Sequence, residues 1–365
     1  MISKDQFIER VRKEVFPDLM ATDWARKKAL VKGFFFVALA GGLLVLAALN
    51  PSLGDNDWFW AGFAACIMGA GYIWREFVKQ TKKKVSPVFL KLLGDLKLGQ
   101  DVINASLLRH TCLFPKFDYE RYDDCFSGTF ENTQFSVAEL KLWVNGGKSD
   151  YSVFSGVCID IPMKLPTSGY TLLFNSSFPK RIGPLQRITL EDVSFGKNYQ
   201  VYSDNQIDAR VLLTPAFMEK LNNMRRCFHN KNIDVAFFGN HAVFVIHTAA
   251  NLFESYSLFR KVTNTRTYEK FYDEIAAIHD MISVLSINNE SMPKTVTFNK
   301  GLYEQITAAK ENHVAFGIFL GIFVFFLFLL IIPIMLGAWE AGLIFGTFFI
   351  ISGVAMLWFW PRNRR

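Results

Sequence analysis

The residues best suited to chemistry in this sequence are Asp204, Asp208 and Arg210, with Tyr202 just before them. Acids and a base this close together could serve acid–base catalysis or bind a polar ligand. The two acids, four residues apart, would also share one face at the start of a helix, where the helix dipole favours negative charge. We expect that structural role, and we keep Tyr202, Asp204, Asp208 and Arg210 as the candidate ligand-binding residues.

Metal and thiol chemistry have weaker support. His241 and His247 are six residues apart, so in a continuous strand both would face the same side, as metal ligands could. No cysteine or carboxylate stands at ligand spacing beside them, and His241 is expected in a turn, so we predict no metal site. The five cysteines have no paired spacing, which is typical of free thiols in a reducing compartment.

Familiar catalytic and nucleotide-binding motifs are absent from the sequence. It contains no GxxxxGK[ST], no GxGxxG after a strand, no HExxH and no GxSxG. We therefore predict no cofactor, and the question of an enzymatic activity stays open. The net charge of +7 could indicate nucleic-acid binding, but much of the excess lies beside apolar segments. Membrane orientation explains it better, and no nucleic-acid partner is expected.

The apolar residues are concentrated near the two ends of the chain. Four windows have about the 20 residues needed to cross the hydrocarbon core of a bilayer, and their interiors carry no charge: Leu30–Leu49, Trp58–Trp74, Val314–Leu336 and Glu340–Trp360. The windows predict two transmembrane hairpins, residues 30–74 and 314–360. Between them, residues 75–313 are long enough for one substantial core.

Charged flanks predict the orientation of these hairpins. The connection 50–57 has acids and no base, whereas a basic run follows the second window, with Arg75, Lys79, Lys82, Lys83 and Lys84. Such residues prefer an anionic cytoplasmic surface by about 1 kcal/mol each, so we expect these five to contact the membrane surface. The sequence thus predicts a multi-pass protein of the bacterial inner membrane. Both termini, including the basic tail 361–365, and the large middle domain would be cytoplasmic.

The N-terminal segment 1–29 has the pattern of an amphipathic helix. Ser3 and Gln6 form a capping-box pair, and apolar residues recur on one face until Pro17, where we expect the helix to end. The helix could lie on the membrane surface or dock on the middle domain, and we favour docking.

The middle domain has the pattern of an α+β fold. Ser86–Pro87 is expected to open a short helix that Gly94 ends, Ser203 to cap a helix after residue 203, and Thr214–Pro215 to start another. A last helix should bury an apolar stripe from Tyr268 to Leu285. Period-two segments predict strands at 122–130, 135–144, 151–161, 170–174, 199–202, 233–238 and 242–248. Short successive strands indicate a largely antiparallel sheet covered by helices.

Several short segments resemble, in order and spacing, an uncharacterised bacterial membrane-protein family, domain of unknown function 3137. They are Phe126–Gly128, Ala138–Leu140, Phe154–Val157, Ile188–Val193 with Phe195, Tyr199–Arg210 and Leu212–Met218. The resemblance covers about residues 117–285 and implies an N-terminal membrane hairpin followed by a cytoplasmic domain. It implies no established activity. Because such proteins occur alongside LemA-type membrane proteins, it makes a protein partner of that type plausible.

Three functions are consistent with this sequence. The first is a non-enzymatic membrane-anchored scaffold or adaptor that binds a protein partner, or a second copy of itself, through a sheet edge or groove. The second is a lipid-sensing module that resembles a pleckstrin-homology domain, since the basic run lies beside a small sheet closed by a helix. The third is an enzyme acting on a membrane-proximal substrate, which a closed pocket lined by Asp204, Asp208, Arg210 or His247 would favour.

Overall fold

The computed structural model describes most of the first 289 residues. The described residues are 1–50, 53, 56–94, 96–99, 103–163, 167–175, 183–249, 252–253, 261, 263–289 and 305. The predicted hairpin 314–360 and the tail 361–365 lie outside them.

Helices dominate the start of the described chain, and most strands follow, with further helices between the later strands. The helices are α1 (Lys4–Arg10), a π-helical turn (Val11–Val15), α2 (Phe16–Leu49), α3 (Asp57–Leu93), α4 (Ala105–His110), α5 (Val193–Asn198), α6 (Gln206–Leu212), α7 (Pro215–Cys227) and α8 (Thr265–Asn289). The strands are β1 (Lys97–Leu98), β2 (Tyr119–Phe130), β3 (Thr133–Val144), β4 (Tyr151–Pro162), β5 (Tyr170–Phe174), β6 (Gln186–Ile188), β7 (Gln200–Ser203), β8 (Ile233–Phe238) and β9 (His241–His247).

The N-terminal helix is continuous from Lys4 to Leu49. The predicted capping box is confirmed: the Ser3 side chain accepts from the Gln6 amide, and the Gln6 side chain accepts from the Ser3 amide. The prediction that Pro17 ends the helix is wrong. Pro17 lies in the first turn of α2, directly after the π-helical turn, where a proline without an amide hydrogen is tolerated.

The first half of this helix docks on the domain, as predicted. Phe7, Val11, Val15 and Leu19 are buried in the main core, and the Phe7 ring lies 5.5 Å from that of Tyr272 on α8. The Lys4 ammonium forms an ion pair with Asp273 at 2.9 Å.

The second half projects from the domain as an apolar helix. Among the described residues, Lys4–Leu49 is the one helix long and apolar enough to cross a membrane, and only 6% of its most apolar window is buried. A signal sequence or a membrane anchor has this composition. Helix α3 packs beside α2, and Gly69 approaches the ring of Phe36 closely.

Helix α3 leads back into the domain without a break. The prediction that a helix starts at Ser86–Pro87 is wrong, because Pro87 lies inside α3. Its end at Gly94 is confirmed. Lys82 forms ion pairs with Asp123 at 2.9 Å and with Asp124 at 2.6 Å, so α3 runs beside β2.

The domain is built on one nine-stranded sheet in the order β1-β2-β3-β4-β9-β8-β5-β7-β6. All of its strand pairs are antiparallel. The predicted α+β class with a largely antiparallel sheet is therefore confirmed. The seven predicted strands are present, while the short strands β1 and β6 and the helices α4 and α5 had no clear sequence signal.

The two faces of the sheet are covered differently. One face, with Val157, Phe244 and Val235, packs under α1, α3, α7 and α8, and the apolar stripe of α8 is buried there as predicted. The other face, with Cys158, Val243 and Ala236, is covered by α4 and the chain from Cys112 to Phe117. All five cysteines are free thiols.

The sheet has two distinct ends. At what we call the cleft end lie Pro162, Phe238 and His241, which the register places side by side. The tip, formed by the ends of β2, β3 and β4, has Tyr119 opposite Trp143 and Tyr151 opposite Val144. Strand β4 joins the two, and its 12 residues separate them by about 35 Å.

Candidate functional site

The predicted residues Asp204 and Asp208 hold the turn that precedes β5. The Asp208 carboxylate accepts from the Ser168 amide at 2.9 Å and also from the Ser168 hydroxyl. The Asp204 carboxylate accepts from the Tyr170 amide at 2.8 Å. Asn205 joins them, since its side-chain amide donates to the Ser168 hydroxyl at 2.7 Å.

Asn205, rather than Ser203, caps helix α6. Its side-chain oxygen accepts from the amides of Ile207 and Asp208. The prediction that Ser203 is the cap is wrong because the strand continues through Ser203, whose hydroxyl instead accepts from the Asn205 amide at 3.1 Å. The helix therefore begins at Gln206.

Gly169 lets this turn approach Asp204. A Cβ at Gly169 would overlap both carboxylate oxygens of Asp204, so any other residue would have to displace that side chain. Burial raises the pKa of Asp204, and the hydrogen bond from the Tyr170 amide opposes that shift. The acids named by the sequence thus connect two segments of chain by hydrogen bonds.

Tyr202 and Arg210 do not join this network. Tyr202 is buried on the α4 side of the sheet, burial raises its pKa, and its hydroxyl donates to Gln200 at 3.0 Å. The exposed Arg210 guanidinium lies 4.0 Å from the carboxylate of Glu191. The four predicted residues therefore do not converge on one cavity.

An open cleft of about 500 Å³ lies at the cleft end of the sheet. Its polar lining residues are Asn104, Ser106, His110, Asp160, Asn240 and His241, with Leu107 and Phe238 as apolar ones. Asp204, Asp208, Arg210 and His247 are not among them. This combination of several hydrogen-bonding groups with apolar surface suits a polar ligand or a peptide segment.

Two histidines of the cleft are oriented by neighbours. Nδ1 of His241 lies 3.0 Å from the carboxylate of Asp160, a residue that is 7% exposed. Nδ1 of His110 donates to the main-chain oxygen of Ser106 at 2.6 Å. Each contact restrains the imidazole plane, and for His241 it leaves Nε2 as the ring atom that can meet a ligand.

The prediction that His241 and His247 share a side of the sheet is confirmed, but they lie at opposite ends of β9. Nε2 of His247 lies 2.8 Å from Asp234, whose other oxygen accepts from the Asn175 amide at 2.8 Å. His241 begins β9 and is not in the turn. Within the described part of the chain, no group of three or more His, Cys, Asp or Glu side chains is arranged to hold a metal ion.

Sequence reasoning did not identify the cleft. Asp160 and His241 are 81 residues apart, and only the β4–β9 pairing brings them together. One signal was available: Asp160 is a charged residue inside an apolar strand, between Ile159 and Ile161, where a charge is rarely placed unless it has a partner.

The residues of the basic run have two different environments: one is paired with acids of the domain, and the others are exposed to solvent. Lys82 is held by Asp123 and Asp124, so it contacts β2 rather than projecting freely toward a membrane. Arg75, Lys79, Lys83 and Lys84 are exposed on α3. Their predicted contact with a membrane surface stays a prediction.

Residues 152–287 match the family described as Protein of unknown function (DUF3137). The family resemblance is confirmed. The DUF3137 segment runs from β4 into α8. It includes Asp204 and Asp208, which we call the signature acids, and five cleft residues: Asp160, Phe238, Gly239, Asn240 and His241. Strands β2 and β3, which the sequence comparison had included, precede it.

Two further comparisons add little. No curated protein matches the chain. Among solved structures, it is similar to the crystal structure of the mycobacterial trehalose monomycolate transport factor A, TtfA, with a TM-score of 0.34 and 9% identity over 60% of this chain and 99% of that one. That likeness is too weak to support an argument about function.

Proposed function

We propose that this chain is a membrane-anchored scaffold or adaptor whose α+β domain binds a segment of a partner protein. The observation that carries the proposal is the continuity of the helix Lys4–Leu49. Its first turns are part of the domain core, and its apolar half projects from the domain. An anchor joined in this way would hold a binding domain at a fixed distance from the membrane surface.

The membrane topology belongs to the same proposal. Hairpins 30–74 and 314–360 would anchor the chain in the bacterial inner membrane, with both termini and the domain, residues 75–313, on the cytoplasmic side. The exposed side chains of Phe34, Phe35, Trp58 and Met68 on the first hairpin support burial in lipid. The exposed bases on α3 support a cytoplasmic location for its C-terminal half.

The cleft is the surface that we assign to the partner. It is open, and its asparagine and histidine side chains can pair with the main-chain groups of an extended segment. The stacked rings of Phe238 and His241, 5.7 Å apart, offer an apolar contact beside them. A LemA-type membrane protein or a second copy of this chain are the partner classes that we propose.

Filling the cleft tests this function. Ser106 is exposed in the cleft, so Ser106→Trp blocks it without disturbing the core, whereas Glu219→Trp places the same side chain on an exposed position of α7. We expect a stoichiometric partner to co-purify from membranes with the wild type and Glu219→Trp, and not with Ser106→Trp. Recovery of no partner with the wild type, or equal recovery with all three proteins, would contradict the proposal.

A second candidate function is favoured by one observation. Arg75, Lys79 and Lys83 recur every four residues on α3 and are exposed, so they form one basic stripe that could read anionic lipid headgroups. A lipid-sensing domain would shift position in proteoliposomes when anionic lipid is added. A purely anchored adaptor would not.

A further inference from the structure

The tip of the sheet is placed by two contacts between α3 and β2. Near the start of β2, Lys82 holds Asp123 and Asp124. Near its end, a Cβ at Gly94 would lie 3.5 Å from the Phe130 ring. Helix α3 and strand β2 therefore run side by side in the same direction.

This direction sets the level of the tip along α3. From Lys82 back to Trp74 is eight helical residues, or about 12 Å. From Asp123 back to Tyr119 is four strand residues, or about 13 Å. Tyr119 thus lies at the level of Trp74 and Arg75, where the apolar part of α3 gives way to its basic part.

Aromatic and cationic side chains are concentrated at this tip. The rings of Tyr119 and Trp143 are stacked at 6.4 Å with an interplanar angle of 4°. The Arg121 guanidinium lies 5.5 Å from the first ring and 5.3 Å from the second. Arg121 is paired with Lys141 in the ladder, and strand alternation puts Lys141 and Trp143 on the sheet face that α3 covers.

The acids near the tip are engaged by other groups. Asp118 accepts from the Asn145 amide at 2.8 Å, and Asp150 accepts from the Tyr119 hydroxyl at 2.6 Å. Asp123 and Asp124 hold Lys82. Asp118 and Asp150 remain exposed and Glu120 is half-buried, so the tip presents its cations, including Lys148 in the β3–β4 connection, together with acids that are already hydrogen-bonded at two of these positions.

A cross-strand aromatic pair can simply stabilise the end of a hairpin. Two features are not explained by that role. Cations accompany the aromatic pair, and the tip lies at the same level as Arg75, where the basic part of α3 begins. Tryptophan and tyrosine favour the headgroup region of a bilayer, and lysine and arginine favour anionic lipids. The aromatic and cationic stack and the level of the tip along α3 together point to one contact, the headgroup region of a bilayer.

We propose that the tip, defined by Tyr119, Arg121, Lys141, Trp143 and Lys148, rests in the headgroup region of an anionic bilayer. It forms a second membrane contact beside the helical anchor. This inference rests on the proposed anchoring of the chain. It places the cleft end of the sheet on the side away from the membrane.

Spin labels on the full chain in liposomes test the contact. Labels would be attached by Lys148→Cys at the tip, Thr129→Cys near the other end of β2 and Leu44→Cys in the proposed anchor, all with Cys227→Ser. Residues 148 and 129 are both exposed, so they form a matched pair. With phosphatidylglycerol-containing vesicles, we expect a headgroup-tethered nickel chelate to relax the label at 148 several-fold more than the label at 129.

The three labels distinguish the possible failures. If oxygen, which concentrates in lipid, relaxes the Leu44→Cys label while 148 behaves like 129, the anchor stands and the tip contact is refuted. If the Leu44→Cys label behaves as in water, the proposed anchoring itself is refuted. Adding Arg121→Glu and Lys141→Glu should reduce relaxation at 148 several-fold, whereas Lys197→Glu on the exposed face of α5 should not; equal effects would also overturn the proposal.

Discussion

The two ends of the sheet hold their polar side chains in opposite ways. At the cleft end, Asp204 and Asp208 are satisfied by amides and a hydroxyl of the same domain. At the tip, Tyr119, Trp143 and Arg121 stack on one another at the surface. The difference shows that the acids at the cleft end order the chain around them, whereas the aromatic and cationic side chains at the tip lie where they can contact the membrane that we propose.

This contrast also separates the signature acids, Asp204 and Asp208, from the cleft that we assign to a partner. The acids of the signature fix the turn before β5, and that turn in turn contacts the β8–β9 turn, since the Thr167 amide donates to the Gly239 oxygen at 2.6 Å. Gly239 lines the cleft. The signature acids therefore support one wall of the cleft through this turn, but they do not line the cleft.

The largest expected effect concerns the helix that joins anchor and domain. Phe7 is fully buried, so Phe7→Ala should lower the free energy of unfolding by about 3–5 kcal/mol through lost burial and a residual cavity. Urea unfolding in detergent, followed by pulse proteolysis of the domain, measures the change. Phe34, which is 74% exposed, is the matched control, and Phe34→Ala should alter the same value by less than about 0.5 kcal/mol. Similar losses of unfolding free energy for both variants would mean that the two halves of the helix do not differ in their packing on the domain.

The next effect concerns the cleft end. Asp208→Ala should cost about 1–3 kcal/mol, because the Ser168 amide and hydroxyl both lose their acceptor in a buried place. The same unfolding measurement applies. Arg210→Ala removes only an exposed ion pair of 4.0 Å and should cost less than about 0.5 kcal/mol. If Arg210→Ala lost more unfolding free energy than Asp208→Ala, Arg210 rather than Asp208 would be the residue that stabilises this part of the fold.

Gly169→Ala tests the close approach at the same turn. The new methyl would meet the carboxylate of Asp204, so the variant should lose about 1–2 kcal/mol through displacement of that side chain. In the double variant with Asp204→Ala the steric cause is gone, so the two losses should be less than additive by at least about 0.5 kcal/mol. Strict additivity in a double-mutant cycle would exclude the contact.

The smallest effect on stability is expected at the tip. Trp143→Leu keeps an apolar side chain but loses the stacking with Tyr119, which should cost about 0.5–1.5 kcal/mol. Tyr151→Leu, at a residue that is 56% exposed, serves as the control and should be close to neutral. If Trp143→Leu lowered the free energy of unfolding more than Asp208→Ala, the aromatic pair at the tip would serve mainly to stabilise the fold. The difference that we draw between the two ends of the sheet would then be wrong.

The sequence predicted much of the sheet for a simple reason. Strands β5 and β8 are short apolar runs between turn residues, and their predicted bounds, 170–174 and 233–238, agree with the structure. Their type and length depend on local pattern alone. The same holds for α8, whose apolar stripe has the helical period.

Helix boundaries and the cleft depended on information that local pattern lacks. Pro17 is tolerated because it lies in the first turn of α2. Pro87 is tolerated inside α3, because core packing of the neighbouring Val85 and Phe89 outweighs the loss of one hydrogen bond. The cap of α6 moved from Ser203 to Asn205 because β7 pairs with β5 through Ser203. The His241–Asp160 contact depends on the register of two strands far apart in the chain.

The uninterrupted helix from Lys4 to Leu49 has a mechanical consequence. Beyond Leu30, its last residue that packs against the main core, it extends about 30 Å to Leu49. In the membrane-anchored arrangement that we propose, a tilt of this segment would be transmitted to the packing around Phe7 and Tyr272. Bilayer thickness and curvature would then set the height and orientation of the cleft above the membrane.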